Sequence, residues 1–225
     1  MRGRYWIISN YDYDPSAVIA AIDSDDYVLC QQGAPAKVPA AHRDSRFAPT
    51  KHSGHNLSDY LQFLVEHYSD LPPEVGFIKG NVFPRHIDKQ TFCDRIQHRG
   101  FVPLYSSEAT YAATRRRLPP FGVLAQQVAP GIYLEAASGW YVKKRNTGQH
   151  FPTLESMFVR ITGRKPPLYI PFVPGACMVV PRENITRWPH ELFAELYGAV
   201  TYSHFPVEAF HLERCMLYLF SFPVR

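Results

Sequence analysis

The chain has 225 residues, of which 46% are hydrophobic and 20% charged, so we expect a single folded domain with a full core rather than a disordered chain. Its net charge of +4 suits a phosphate-bearing small ligand and is too weak to indicate a nucleic-acid partner. No run approaches the roughly 20 apolar residues of a membrane-spanning helix, so we expect a cytoplasmic protein with at most peripheral membrane contact.

The first part of the chain predicts a β-α-β unit. Residues 5–8 are a short apolar run closed by Ser9-Asn10, which indicates a buried strand leading into a polar loop rather than a signal peptide. A short helix is expected over residues 16–22. Residues 27–30 then predict a second strand, which ends in Gln31-Gln32-Gly33.

The clearest helix follows an aperiodic stretch, residues 34–55, which predicts a long loop or an active-site flap. From Leu57 onward apolar residues recur at helical spacing, and Asn56 is the expected N-cap. Two prolines end this helix. The apolar run 75–78 then predicts a central parallel strand, bounded by Lys79-Gly80-Asn81.

The carboxyl-terminal half has a clear pattern only after residue 150, because the chain from about residue 99 to 150 is weakly patterned. A strand is expected over 176–180, and helices are expected over 91–98, 154–161, 190–197 and from Pro206 to about 219. Strands that alternate with helices predict an α/β fold in which a mostly parallel sheet carries helices on both faces.

Polar residues follow each of the three predicted amino-terminal strands. Ser9-Asn10, Gln31-Gln32-Gly33 and Lys79-Gly80-Asn81 should share one edge, because the carboxyl ends of parallel strands meet there. Ligands of open α/β sheets bind beyond this edge, where loops and helix N-termini present unpaired donors.

The segment from Lys79 to His86 predicts a site for a diphosphate. Gly80 lets the backbone approach a ligand closely, Asn81 offers an amide, and Lys79, Arg85 or His86 could offset charge on a departing phosphate. The alternative is a turn whose charges are solvated.

The last predicted helix contains the candidate catalytic residue. Glu208 lies in the first turn of this apolar helix, where a carboxylate could act as a general base or could only stabilise the helix dipole. Glu213-Arg214 is expected to form an ion pair that orients the helix.

The other polar clusters favour structural roles. Asp23-Ser24-Asp25-Asp26 precedes its strand, so a solvated turn is preferred to a metal site, and Arg115-Arg116-Arg117 and Lys143-Lys144-Arg145 are expected to be solvated. Four histidine and aspartate positions lack the spacing of a metal site: His52, His55, His86 and Asp88. The four widely spaced cysteines are expected to be reduced: Cys30, Cys93, Cys177 and Cys215.

Several segments together resemble a family of glycosyltransferases found among polysaccharide-biosynthesis proteins. The matching stretches cover roughly residues 5–11, 54–86 and 172–220, and the middle of the chain carries little of the match. They include Gly54-His55-Asn56, Leu71-Pro72-Pro73, the run from Phe77 to His86, the run from Pro174 to Ile185, and Glu208 with Glu213-Arg214.

The resemblance implies a GT-A-like fold, in which a Rossmann-like half, about residues 1–90, binds a nucleoside diphosphate sugar. The remainder, about 91–225, would hold a glycan or lipid-linked saccharide acceptor. Three residues would contact the nucleotide: Ser9, Asn10 and Gln32. Five would hold the diphosphate: Lys79, Gly80, Asn81, Arg85 and His86.

One departure from the family pattern bears on the cofactor. Many GT-A enzymes bind Mn²⁺ or Mg²⁺ through an Asp-x-Asp motif after a central strand, where this chain has Lys79-Gly80-Asn81. We therefore assign no metal ligand and no cofactor. A divalent metal, Mn²⁺ or Mg²⁺, would have to bind without this motif. The alternative to an enzyme is a non-catalytic glycan-binding or scaffold domain with the same fold.

Overall fold

Nine strands and seven α-helices lie within residues 3–106, 126–136 and 148–221, the parts of the chain that the computed structural model describes. The strands are β1 Arg4–Asn10, β2 Tyr27–Gln31, β3 Phe47–Pro49, β4 Glu74–Lys79, β5 Val102–Pro103, β6 Gln126–Ala129, β7 Ile132–Ala136, β8 Tyr169–Phe172 and β9 Met178–Pro181. The helices are α1 Ser16–Ile19, α2 Asn56–His67, α3 Lys89–Ile96, α4 Leu154–Thr162, α5 Arg182–Thr186, α6 His190–Thr201 and α7 Val207–Phe220.

The main sheet has the strand order β3-β2-β1-β4-β9-β5. Strands β3, β2, β1 and β4 are mutually parallel, and β9 runs antiparallel to both of its neighbours. The chain moves from β1 outward to β2 and β3, then returns to place β4 on the other side of β1. This reversal is the topological switch point at which open α/β sheets bind ligands.

Helices cover both faces of the main sheet, as predicted, because the apolar side chains of its central strands alternate between the faces. Trp6 and Ile8 belong to a core cluster that also contains residues of α1 and α3. Ile7 and Phe77 belong to the larger cluster, which α2, α4, α6 and α7 complete. The α/β class and the mostly parallel sheet are therefore confirmed.

A second sheet, antiparallel, has the order β6-β7-β8 and packs against α7. Arg214 of α7 pairs with Glu135 of β7 at 2.9 Å, and both side chains are almost fully buried. Arg214 also contacts Glu213 at 2.7 Å, so the predicted Glu213-Arg214 pair is present and connects the helix to this sheet.

Several predicted boundaries are wrong. The stretch 34–55 contains β3 and two short 3₁₀ turns, and the weakly patterned stretch from about residue 99 to 150 contains β5, β6 and β7. Asn56 is the first residue of α2 rather than its N-cap, a position that His55 occupies, and the Asn56 amide donates to the Gly175 carbonyl at 3.0 Å. Pro206 precedes α7 as its N-cap residue.

The structural roles expected of other clusters follow from their contacts. Asp23 accepts hydrogen bonds from the Arg4 guanidinium at 2.9 Å and the Trp6 indole at 3.0 Å.

All four cysteines are free, as predicted, and three of them are buried. The two basic clusters, 115–117 and 143–145, lie outside the described residues. Within the described parts of the chain, no helix is both long and apolar enough to cross a membrane.

Candidate functional site

A cleft of about 400 Å³ opens at the carboxyl ends of β1, β2 and β4. Backbone pairing places Ser9 of β1 between Cys30 of β2 and Lys79 of β4, so the carboxyl ends of the three strands lie side by side. The cleft is lined by Ser9, Asn10, Tyr11, Tyr13, Gln32, His52, His55, Asn56, Lys79, Asn81, Arg85, His204 and Phe205.

Six of the eight residues predicted to bind a donor line this cleft: Ser9, Asn10, Gln32, Lys79, Asn81 and Arg85. The three polar clusters at the carboxyl ends of β1, β2 and β4 therefore meet at one rim. Strand geometry explains this result, because parallel neighbours in register bring their carboxyl ends together. The ligand that each residue would contact stays a prediction.

Asp59, a residue of α2 that is 1% exposed, lies beneath the floor of the cleft. The Ser9 hydroxyl donates to Asp59 Oδ2 at 2.5 Å, and the Gln32 amide donates to the same oxygen at 2.8 Å. Burial raises the pKa of Asp59 to about 6, and the hydrogen bonds from Ser9 and Gln32 limit the rise. Asp59 thus connects two of the predicted contact residues.

Asn10 and Gly80 form a close contact beside the floor. The Asn10 amide donates to the Tyr13 carbonyl at 2.9 Å and to Gln31 Oε1 at 2.8 Å. A Cβ on residue 80 would lie 2.1 Å from Asn10 Oδ1, so any other residue here would force the Asn10 side chain to shift. Gly80 therefore allows the Asn10 side chain to pack against the end of β4, and it is absent from the cleft lining.

The cationic end of the cleft is formed by Lys79, Asn81 and Arg85. Burial acts to raise the pKa of Glu213, but Arg214 and Lys79 outweigh it, and the pKa of Glu213 is lowered. Glu213 also accepts from the Gly175 amide at 2.6 Å. A carboxylate on α7 thus lies within electrostatic reach of Lys79 without lining the cleft.

His86 lies behind this end of the cleft rather than in its lining. Its ring packs against Gly175 and lies 5.8 Å from the Tyr105 ring, and neither ring nitrogen has a hydrogen-bond partner among the described residues. Burial, with Lys79 and Arg85 nearby, lowers the pKa of His86 to about 3. Its imidazole is therefore neutral at pH 7, and the geometry gives the predicted phosphate contact no support.

One wall of the cleft is built of aromatic and imidazole rings. His52 stacks on Tyr11 with 4.2 Å between ring centroids, and its edge faces His204 at 4.3 Å. His55 stacks on Phe205 at 4.5 Å. The sequence does not indicate this wall, because ring stacking between segments about 150 residues apart leaves no local pattern: residues 204–205 are not predicted as part of the site, and His52 is considered only as a metal ligand.

Hydrogen bonds hold the two halves of this wall together. The Ser53 hydroxyl contacts the carbonyl oxygens of Val200 at 3.0 Å and Ser203 at 2.8 Å. The Lys51 ammonium donates to the Thr201 carbonyl at 2.6 Å. The loop before α2 is therefore joined to the last turn of α6 and to the loop that follows it.

Glu208, the predicted catalytic base, does not line the cleft and is 0% exposed. Its carboxylate accepts from the His150 amide at 2.9 Å and from the Tyr202 hydroxyl at 3.0 Å. Gly148 packs against the same carboxylate. These contacts give Glu208 a structural role, since it fixes residues 148–151 against α7, and its place outside the lining gives the predicted role of general base no support.

The described residues contain no group of three histidine, cysteine, aspartate or glutamate side chains placed to hold a metal ion. The described lining of the cleft likewise includes no carboxylate. The groups there that can offset a negative charge are the cations of Lys79 and Arg85, together with any histidine that is protonated.

Comparisons of the chain with models of protein families, with curated proteins and with solved structures found no match.

Proposed function

We propose that the protein is a glycosyltransferase that moves a sugar from a nucleoside diphosphate sugar to a hydroxyl of a glycan or lipid-linked saccharide. We further propose that its fold is GT-A-like, with the nucleotide held by the half that contains β1, β2 and β4. One observation carries the proposal: a cleft at the switch point of the sheet combines two cations with a wall of aromatic rings.

The two ends of the cleft suit the two ends of a nucleotide. Lys79 and Arg85 supply positive charge for a diphosphate, while Tyr11, Tyr13 and Phe205 supply flat faces on which a ring can stack. Base-on-aromatic stacking is worth about 1–3 kcal/mol in other proteins. A volume of about 400 Å³ lies within the usual range for small-molecule sites.

In this proposal catalysis depends on the charge that develops when the donor bond breaks. The nucleoside diphosphate leaves with added negative charge, and Lys79 with Arg85 would stabilise it, so that the transition state is favoured over the bound donor. Asn81 and the chain around Gly80 would position the phosphates. A divalent metal would need carboxylates from outside the described lining.

The acceptor hydroxyl must lose a proton. In this proposal the imidazole of His52, rather than the carboxylate of Glu208, receives it. Burial, with His204 nearby, lowers the pKa of His52, so this ring is more often neutral at pH 7 and can accept a proton. His52 lines the cleft beside Tyr11. A retaining reaction would need no such base.

Calorimetry with nucleosides, nucleoside diphosphates and nucleotide sugars tests the proposal. Lys79→Ala should weaken diphosphate binding about tenfold or more and leave free nucleoside binding unchanged, because only the diphosphate carries the charge. Lys165→Ala is the matched control, since Lys165 is 85% exposed and does not line the cleft. Absence of binding by every nucleoside diphosphate would contradict the proposal.

A non-catalytic glycan-binding or scaffold domain is the second candidate. It is favoured by one observation, the lack of a carboxylate in the described lining together with the enclosure of Glu208. Incubation of the protein with a bound nucleotide sugar and a panel of glycans separates the two functions. Release of free nucleoside diphosphate supports the transferase, whereas glycan binding without any nucleotide binding supports the scaffold.

A further inference from the structure

The amide of Gln32 has one chemically defined orientation. Its Nε2 lies 2.5 Å from the His55 carbonyl oxygen, 2.8 Å from Asp59 Oδ2 and 3.1 Å from Ser58 Oγ. A carbonyl or an ionised carboxylate only accepts, and the Ser58 hydroxyl gives its own hydrogen to the His55 carbonyl at 2.8 Å. All three neighbours therefore require the nitrogen of Gln32 on their side.

This orientation places the acceptor of Gln32 on the other side of its amide. Oε1 has no hydrogen-bond partner among the described residues, although Gln32 is buried and lines the cleft. An amide oxygen has two lone pairs and no hydrogen to give. At this point the cleft therefore offers a hydrogen-bond acceptor. It binds a donor group of a ligand and repels a ligand group that can only accept.

Ser9 has the same polarity for the same reason. Its hydroxyl hydrogen points to Asp59 Oδ2, so only lone pairs of Ser9 Oγ are left for the cleft that Ser9 lines. Asp59 thus draws the hydrogens of two side chains inward. The floor of the cleft accepts hydrogen bonds, whereas the end formed by Lys79, Asn81 and Arg85 is cationic.

We infer that Gln32 and Ser9, oriented by Asp59, select the ligand through a hydrogen-bond donor on its nucleoside, either the imide N–H of the base or a ribose hydroxyl. The inference rests on the proposed function and names the group that is recognised. A phosphate placed against Gln32 Oε1 would be repelled, so the same polarity directs the phosphates towards Lys79 and fixes one orientation of the nucleotide.

Calorimetry with three probes tests this inference: uridine diphosphate, its 3-methyl analogue and its 2′-deoxy analogue. The 3-methyl analogue lacks the imide hydrogen, and the deoxy analogue lacks one ribose hydroxyl. We expect at least one of the two analogues to bind about tenfold or more weakly than uridine diphosphate, because a buried acceptor is then left unpaired. The analogue that loses affinity identifies the donor.

Variants separate hydrogen bonding from steric exclusion. Gln32→Met keeps the length of the side chain and removes the acceptor, so it should bind all three probes with similar, weakened affinity. Gln62→Met is the control, because Gln62 contacts Glu66 on α2, does not line the cleft and should keep wild-type selectivity. A thermal melt of each variant checks that it is folded.

The outcomes distinguish this inference from the function on which it rests. Equal binding of the three probes by the wild type, with the phosphate dependence on Lys79 retained, overturns the inference and leaves the proposed function standing. Selectivity that persists in Gln32→Met means that shape rather than Gln32 excludes the analogue, and it also overturns the inference. Failure of all nucleoside diphosphates to bind overturns both.

Discussion

The imidazole of His55 stacks on the ring of Phe205 with 4.5 Å between centroids, and both residues have positive φ angles, 55° and 142°. Side-chain-bearing residues rarely adopt such angles, which cost about 1–3 kcal/mol each and persist where the surroundings enforce them. Ser53 joins the two segments that carry these residues, through hydrogen bonds to Val200 at the end of α6 and to Ser203 in the loop after it. Strain of this kind is concentrated at ligand sites, which agrees with the place of both residues in the cleft wall.

Replacement of Phe205 tests the role of this wall. Phe205→Ala should weaken nucleoside and nucleoside diphosphate binding by the same factor, about tenfold, because the ring offers a stacking face and no charge. The side chain is 38% exposed, so we expect the free energy of unfolding to change by only about 1 kcal/mol. Tyr169→Ala, an exposed aromatic outside the cleft, should leave binding unchanged. Wild-type affinity in Phe205→Ala would remove this ring from the site.

The buried carboxyl of Asp59 predicts a pH dependence of stability. Its pKa is about 6 in the folded protein and about 3.9 in an unfolded chain, so the folded state binds the proton more tightly. The contribution of Asp59 to stability is complete below about pH 4 and is lost as the pH rises through 6, a change of about 3 kcal/mol. Chemical denaturation between pH 4 and pH 7.5 measures it.

Asp59→Asn is the comparison that isolates this effect from other titrating groups. Relative to this variant, the wild type should gain stability as the pH falls from 7 to 4, since asparagine does not titrate. The nearby groups Cys30 and Tyr197 have raised pKa values and stay protonated throughout this range. A constant difference between the two proteins over that range would show that Asp59 does not titrate near pH 6.

The close contact at Gly80 predicts opposite effects for two glycine substitutions. Gly80→Ala should lower the free energy of unfolding by about 1–3 kcal/mol, because the new methyl group collides with Asn10, which anchors the Tyr13 loop. Gly198→Ala, in α6 with open space around its Cβ, should raise it by about 0.5–1 kcal/mol. Urea titrations of both variants measure the difference. Equal effects would mean that residue 80 has room for a side chain.

The rim of the cleft was predictable because it depends on local patterns. Apolar runs that end in Ser9-Asn10 and Lys79-Gly80-Asn81 indicate strands and their carboxyl ends, and parallel pairing then brings the ends together. Asp59 was not predictable as part of the site, because in the sequence it is an ordinary first-turn residue of α2. The partner that gives it a role, Ser9, is 50 residues away in the chain.

Glu208 is the reverse case, a predicted site residue that does not line the cleft. A carboxylate in an apolar helix indicates either a partner or a catalytic task, and sequence alone does not choose between them. The partners here are the His150 amide, in a region without a clear pattern, and the Tyr202 hydroxyl, six residues before Glu208. These hydrogen-bond partners leave no signal in the sequence, so the sequence alone does not reveal that Glu208 has a structural role.

Glu208→Gln separates these two interpretations. The glutamine oxygen can still accept from the His150 amide, but its nitrogen can only donate to the Tyr202 hydroxyl, so one hydrogen bond reverses and both lose the charge of the carboxylate. We therefore expect the free energy of unfolding to fall by about 1–2 kcal/mol. Nucleoside diphosphate affinity should be unchanged, because Glu208 does not line the cleft. Glu191→Gln is the matched control, an exposed carboxylate in the first turn of α6, and should cost less than about 1 kcal/mol. If Glu208→Gln instead abolishes sugar transfer at unchanged stability, Glu208 is the general base and His52 is not.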